Sequence, residues 1–196
     1  CSSTSNAATM TVNAKPTVPT ITISPNQTTF CAGVSHGLTA SSTASSGTPT
    51  YVWSVDGSST TATQAGITTV GTHNYTVTAT ANGCDADNTA SQAITVVANP
   101  TANISVTDAD ICPNAPDNTT DLTITASGGS GPWDVAYTDA LGAGQTATVP
   151  VGGTTTVTVS DAGTYTLTGV TDNTTTCTGT ATASVVVNLL EEVTGT

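Results

Sequence analysis

Apolar and polar residues alternate in short runs along almost the whole chain, and Gly, Pro, Asn or Ser breaks each run within a few residues. Tyr51, Trp53 and Val55 occupy every second position, as do Tyr75, Val77 and Ala79, and Trp133, Val135 and Tyr137. A period of two places such residues on one face of a β-strand. No stripe of helical period accompanies them, and the Thr and Val that dominate the runs suit a pleated sheet. The pattern predicts an all-β protein.

The runs also recur in a fixed order. From Cys84 to Asn99, and again from Cys177 to Asn188, the chain passes from a cysteine through small polar residues into a β-branched run that stops at Asn. Residues 1–13 repeat this closing segment at the front, so it reads as the last strand of a preceding module or as a strand donated to a neighbour. Upstream segments match as well: Phe30-Cys31 with Ile111-Cys112, the Leu38 strand with the Leu122 strand, and Trp53 with Trp133 at a near-constant distance beyond the opening cysteine. The expected organisation is therefore a closing or donor strand at 1–14, one sandwich module at 15–99, a second at 100–188, and a linker or the start of another module at 189–196. Each module has room for about seven strands in two antiparallel sheets. The second is longer between its Trp and its closing Cys, which predicts an extra strand or hairpin near 146–159. Trp53, Trp133, Tyr75 and Tyr165 are the expected aromatic core.

Charge narrows the partners. Lys15 is the only basic residue against thirteen acidic ones, for a net charge of −12. Nucleic acid and anionic lipid surfaces are bound through Lys and Arg, so neither suits this chain. No apolar run approaches the roughly 18–20 residues of a membrane-spanning helix. The acids read as solvated loop residues that keep Thr-rich modules from sticking together.

Five cysteines recur at matching places in the repeats rather than in metal-binding pairs, which points to disulfides and to an oxidising, extracellular setting. Pairing within modules, Cys31–Cys84 and Cys112–Cys177, is preferred. The alternative staples neighbouring modules through Cys1–Cys31 and Cys84–Cys112. In the preferred scheme Cys1 is left for a partner module or subunit. Ala8, Met10 and Val12 alternate in the same segment and would fill a partner's groove, while Leu189 and Leu190 mark a second contact of that kind.

Candidate chemistry is sparse. His36 and His73 sit apart in one module and read as surface or loop residues; a Ser–His–Asp triad would need one of them, and neither lies in a nucleophile-elbow context. Clustered Cys and His at zinc-ligand spacing are missing. Gly128-Gly129-Ser130-Gly131 lies between two strands and reads as a flexible turn. Asp108, Asp110, Asp117 and Asp121 cluster near the start of the second module, and calcium held there is the one cofactor expectation, although their spacing fits no EF-hand loop. Otherwise no cofactor and no enzymatic activity are expected.

Phe30-Cys31-Ala32-Gly33, Tyr51-Val52-Trp53 and Asn82-Gly83-Cys84 resemble Ig-like repeats of giant Bacteroidetes surface proteins, and the second module is similar to their PKD-like or Ig-like cousins. The resemblance implies a bacterial cell-surface stalk, filament or adhesin, with copies of itself or adjacent repeats as partners. Asp161-x-Gly163-x-Tyr165 resembles the tyrosine corner of immunoglobulin domains, in which the Tyr hydroxyl ties back to nearby backbone. The first functional expectation is thus a structural module, joined to its neighbours by short Pro-containing linkers or by strand addition. The alternative is an adhesin module that recognises a surface glycan or protein through loop tips, which would require exposed aromatics.

Overall fold

The computed structural model describes residues 9–55, 61–112 and 118–190. Every regular element in them is a strand. The first module runs through β1 (Thr20–Ser24), β2 (Thr29–Cys31), β3 (Gly37–Ser41), β4 (Thr50–Trp53), β5 (Thr63–Ala65), β6 (Gly71–Ala81), β7 (Cys84–Asp85) and β8 (Ala90–Val97). One sheet has the order β1-β3-β5 and the other β2-β8-β6-β4, with β7 folded back on β6. The second module runs through β9 (Thr101–Val106), β10 (Asp110–Ile111), β11 (Thr120–Ser127), β12 (Trp133–Thr138), β13 (Gly144–Val149), β14 (Thr154–Val159), β15 (Gly163–Asp172), β16 (Thr178–Gly179) and β17 (Ser184–Leu189). Its sheets are β14-β11-β9 and β10-β17-β15-β12-β13, with β16 on β15. Two sheets face to face with this strand order form an Ig-like sandwich.

The added strand of the second module is β13. Its neighbour β14 pairs with β11 as β5 pairs with β3, whereas β13 extends the opposite sheet by pairing with β12. Two pairs depart from the expected antiparallel plan, and in the first β2 runs parallel to β8, with Thr95 N donating to Thr28 O and Ala32 N to Val97 O. In the second, β10 runs parallel to β17, with Asp110 beside Asn188 and Ile111 beside Leu189. The chain leaves β9, turns through Thr107–Ala109 and joins the other sheet, which gives two short strands where a single edge strand would serve.

Alternation drives the burial. β12 reads WDVAYT, and its first, third and fifth residues are buried while the others are half-buried. Ile104, Leu122, Ile124, Trp133, Val135, Tyr165 and Leu167 belong to one core cluster of the second module. In the first module Leu38, Trp53, Tyr75, Val77 and Ile94 are almost completely buried. All four predicted core aromatics are inside.

The register corrects one equivalence. Trp53 faces Val77, two residues after the buried Tyr75, and Tyr137 faces Leu167, two residues after the buried Tyr165. Tyr137 therefore occupies the place of Trp53, and Trp133, opposite Asp172, stands four residues earlier. A register shift at Ala136/Tyr137 absorbs one extra residue in β15. The two Trp residues solve different packing problems.

The tyrosine corner forms. Tyr165 Oη donates to Asp161 O at 2.9 Å. In the first module, Tyr75 Oη accepts from Ile67 N at 2.7 Å. Burial, then the carboxylates of Asp161 and Asp139, hold the Tyr165 hydroxyl above its ordinary pKa. Replacing Tyr165 by Phe removes one neutral hydrogen bond and leaves the ring in place, so a loss of about 1 kcal/mol is expected in urea unfolding. A loss near zero would mean that the corner is ornamental.

Other expectations are revised. Residues 9–19 form no strand, and Met10 and Val12 are 88% and 86% exposed. The N-terminal strand is thus missing from 9–13, because its alternating side chains find no sheet to pair with; Ala8 and Cys1 lie outside the described residues. Leu189 ends β17, and both it and Leu190 are exposed. His36 is buried, not superficial, with its ring against Gly66. His73 lies half-buried in β6.

By contacts the chain falls into two compact units. The first holds the described residues up to Thr28 with Ser35–Thr68 and Thr72–Thr95; the second holds Thr29–Val34, Thr69–Gly71 and the described residues from Val96 on. The short segment carrying Cys31 is therefore part of the second unit.

Candidate functional site: a disulfide and a buried carboxylate beside Asn99-Pro100

Within the second unit four segments meet: the turn at 31–34, the linker Asn99-Pro100, the loop 128–132 and the turn 172–177. Cys31 and Cys177 form a disulfide, with Cα atoms 5.6 Å apart and 146 residues between them in sequence. Neither expected pairing occurs: Cys84 and Cys112 are both free and half-buried. The physical reason lies in the strands. Cys84 faces Ala81 at the end of β6, whereas Ala32, next to Cys31, bonds Val97, two residues past Thr95, which lies beside Thr72 at the start of β6, so the length of that strand keeps the two cysteines apart.

The linker is held on both sides. Asn99 Nδ2 donates to Ala32 O at 3.3 Å, next to the disulfide. Pro100 O lies so close to Gly179 that a Cβ there would overlap it. Only glycine lets the backbones approach this closely.

Asp172, at the end of β15, is fully buried. Its Oδ1 accepts from Thr174 N at 2.8 Å and from Thr175 N at 3.0 Å. Its Oδ2 accepts from Gly131 N at 3.1 Å and from Ser130 N. Burial pushes the carboxyl pKa up, but the four backbone N–H groups together hold it below its usual value. With a single Lys in the whole sequence, backbone dipoles supply the stabilisation that a basic side chain would give elsewhere. Gly129 has φ +72°, and a Cβ on it would overlap Asp172 Oδ2. Trp133 Nε1 donates to Gly128 O at 2.7 Å, and Thr174 Oγ1 donates to Gly131 O at 2.6 Å. The loop expected to be a flexible turn is bolted to the 172–177 turn. Asp172 N in turn donates to Cys177 O at 2.9 Å, which couples the carboxylate to the disulfide.

Sequence reasoning missed Asp172. The usable signal was Asp172-Asn-Thr-Thr, in which a carboxylate precedes N–H groups two and three residues on, as in an Asx turn.

The acidic cluster has another role in the described residues. Asp108 Oδ1 accepts from Asp110 N, Asp110 accepts from Asn188 Nδ2, and Asp121 accepts from Thr158 Oγ1. The first two bonds brace the crossing from β9 to β10, and the third joins β11 to β14. Asp117 lies outside the described residues, and among the described residues no three His, Cys, Asp or Glu side chains gather as metal ligands. No described helix is long and apolar enough to cross a membrane, which says nothing of β-barrels.

A family model of the Ig-like domain of nucleoporin POM152 matches residues 99–184. Comparison with curated protein sequences gives no match. Among solved structures, a Ca2+-stabilised adhesin that helps an Antarctic bacterium bind ice is 16% identical with a TM-score of 0.47, covering 90% of this chain and 50% of the adhesin chain. Fibronectin(III)-like modules of Clostridium thermocellum CbhA are 16% identical with a TM-score of 0.38, covering 90% of this chain and all of theirs. The ectodomain of mouse nectin-like molecule 4 is 17% identical with a TM-score of 0.40, covering 95% of this chain and 68% of the ectodomain.

Proposed function

We propose that this chain is a load-bearing stretch of an extracellular array of Ig-like modules, serving as stalk, filament or adhesin shaft at a bacterial surface. The observation that carries the reading is the Cys31–Cys177 bond, which ties the opening of one sequence repeat to the closing turn of the next across 146 residues. A bond of that span resists separation of the segments it joins, and an oxidising compartment is where it persists. The short linker held by Ala32 and Gly179 supports the same mechanical role. Assembly by strand addition through residues 1–13 is the finer form of the reading, supported by the exposure of Met10 and Val12. The rival, a glycan platform built on aromatics, loses its support because Trp53 and Trp133 are buried.

The test is surface shaving of intact cells of the native host in the presence of a thiol-alkylating reagent. The expected result is release of peptides that carry the Cys31–Cys177 bond unalkylated. Retention of the protein inside the cells, with both thiols alkylated, would overturn the proposal.

A further inference from the structure

The two free cysteines stand at the same structural positions as the two bonded ones. Cys112 follows the buried Ile111 as Cys31 follows the buried Phe30. Cys31 ends, and Cys112 directly follows, a very short strand beside the last strand of its module: Asn188 N donates to Ala109 O, two residues before Ile111, and Thr95 N donates to Thr28 O, two residues before Phe30. At the other position, Cys84 faces Ala81 at the end of β6, and Cys177 is bonded through its O to Asp172 N at the end of β15. The following residues pair in step, Asp85 with Thr80 and Thr178 with Thr171.

The observed disulfide therefore joins the opening cysteine of one repeat to the closing cysteine of the repeat after it. By the same rule Cys112 awaits the closing cysteine of a following module, and Cys84 the opening cysteine of a preceding one. The surroundings of Cys84 fit. The segment ahead of each module passes its closing-cysteine turn: Pro100 O lies against Gly179, and Asn13 O lies 3.7 Å from Cys84 Sγ. Asn13 Nδ2 also donates to Asn82 O at 3.4 Å.

We propose that Cys84 and Cys112 are the two ends of a disulfide ladder, in which Cys112 of one copy of this module pair bonds to Cys84 of the next copy. Each bond forms by thiol–disulfide exchange with a small-molecule disulfide. The Cys112 thiolate attacks it and expels one small thiol; the Cys84 thiolate of the next copy then attacks the mixed disulfide and expels the second. The two cysteines lose two electrons and two protons, and the small disulfide is reduced to two thiols.

The inference rests on the modular reading above, but its readout is separate. Two full-length chains are mixed in a glutathione redox buffer, one carrying C1S and C112S, the other C1S and C84S. Each keeps one free cysteine and the Cys31–Cys177 bond, and Trp fluorescence checks that each is folded. The expected product is the Cys84–Cys112 heterodimer in about tenfold excess over either homodimer, against about twofold for random pairing, a ratio that needs a docking preference of only about 1 kcal/mol. In concentrated urea the excess should vanish. Random pairing of the folded chains, or an excess that survives in urea, would overturn the ladder. So would peptide mapping that finds Cys84 bonded to Cys1 within a single unmutated chain. Surface shaving could still recover the Cys31–Cys177 peptide in any of these cases, so failure here leaves the stalk reading standing.

Discussion

Replacing Cys31 and Cys177 together by Ser is expected to lower the stability of the second unit by about 2–5 kcal/mol and its Tm by roughly 10–20 °C. The upper end follows from chain entropy. Closing a loop as long as the 146-residue separation of these cysteines removes about 5 kcal/mol of denatured-state freedom. That value assumes that the whole loop is unfolded. Most of the first unit lies inside the loop, and where it keeps its fold while the second unit opens, the freely moving length contracts. The cost falls only logarithmically with length, so the effect shrinks without vanishing. For a unit with about 5–15 kcal/mol of net stability, it remains a large share.

Hydrogen exchange distinguishes this from a general loosening. Amides of β16 and of the 31–34 turn should lose protection first, because Cys177 O and Ala32 O are tied directly to the knot. Dithiothreitol should reproduce the loss in the unmutated chain and have no further effect on the double variant. An unchanged Tm in the double variant would show that the bond adds nothing once the linker contacts are in place.

Much of the architecture was legible in the sequence because alternation is a local property. Tyr51, Trp53, Tyr75, Val77 and Trp133 announce their own burial by where they sit in a two-residue period. The extra strand could be read from the longer interval between Trp133 and Cys177, and the tyrosine corner from Asp161-x-Gly163-x-Tyr165. Errors entered where spacing stood in for register. The matching intervals from Cys31 to Trp53 and from Cys112 to Trp133 suggested equivalent tryptophans, but a bulge in β15 and the tie between Trp133 Nε1 and Gly128 O place them four residues apart. Disulfide pairing was beyond reach for a different reason. Connectivity depends on which strands lie side by side, and the excursion of β2 and β10 to the second sheet changes who is near whom. A chain rich in Thr gives no hydrophobic signal for a two-residue strand.

The Asp cluster shows the same limit from the side of chemistry. Asp108, Asp110 and Asp121 are close in sequence and suggest shared ligation, yet each is engaged with its own partner: the Asp110 amide, the Asn188 side chain and the Thr158 hydroxyl. Short polar side chains at a strand crossing stand in for missing ladder bonds. The carboxylate that matters most to the site, Asp172, stands alone in sequence and draws two of its four donors from a loop some forty residues away.

Removing that carboxylate should cost nearly as much as removing the disulfide. Asp172→Ala leaves four N–H groups without their acceptor, that of Gly131 buried and those of Ser130, Thr174 and Thr175 part-buried, and a loss of about 2–4 kcal/mol is expected. Asp172→Asn is milder at about 1.5–3 kcal/mol, since one oxygen still accepts while the new amide faces donors. The asparagine variant also tests the charge. The folded-state pKa of Asp172 lies below its ordinary value of 3.8, so the stabilisation is fully present above that value and is lost as pH falls through the folded pKa. Unfolding measured from pH 7 downward should therefore show wild type and Asp172→Asn converging as pH drops through and below about 4. Asp139, likewise lowered by its bonds to Gln145 and Ala143 in the β12–β13 hairpin, titrates in both proteins and cancels from the difference. Parallel curves down to the acid limit would mean that the four amides hold the carboxyl by shape and not by charge.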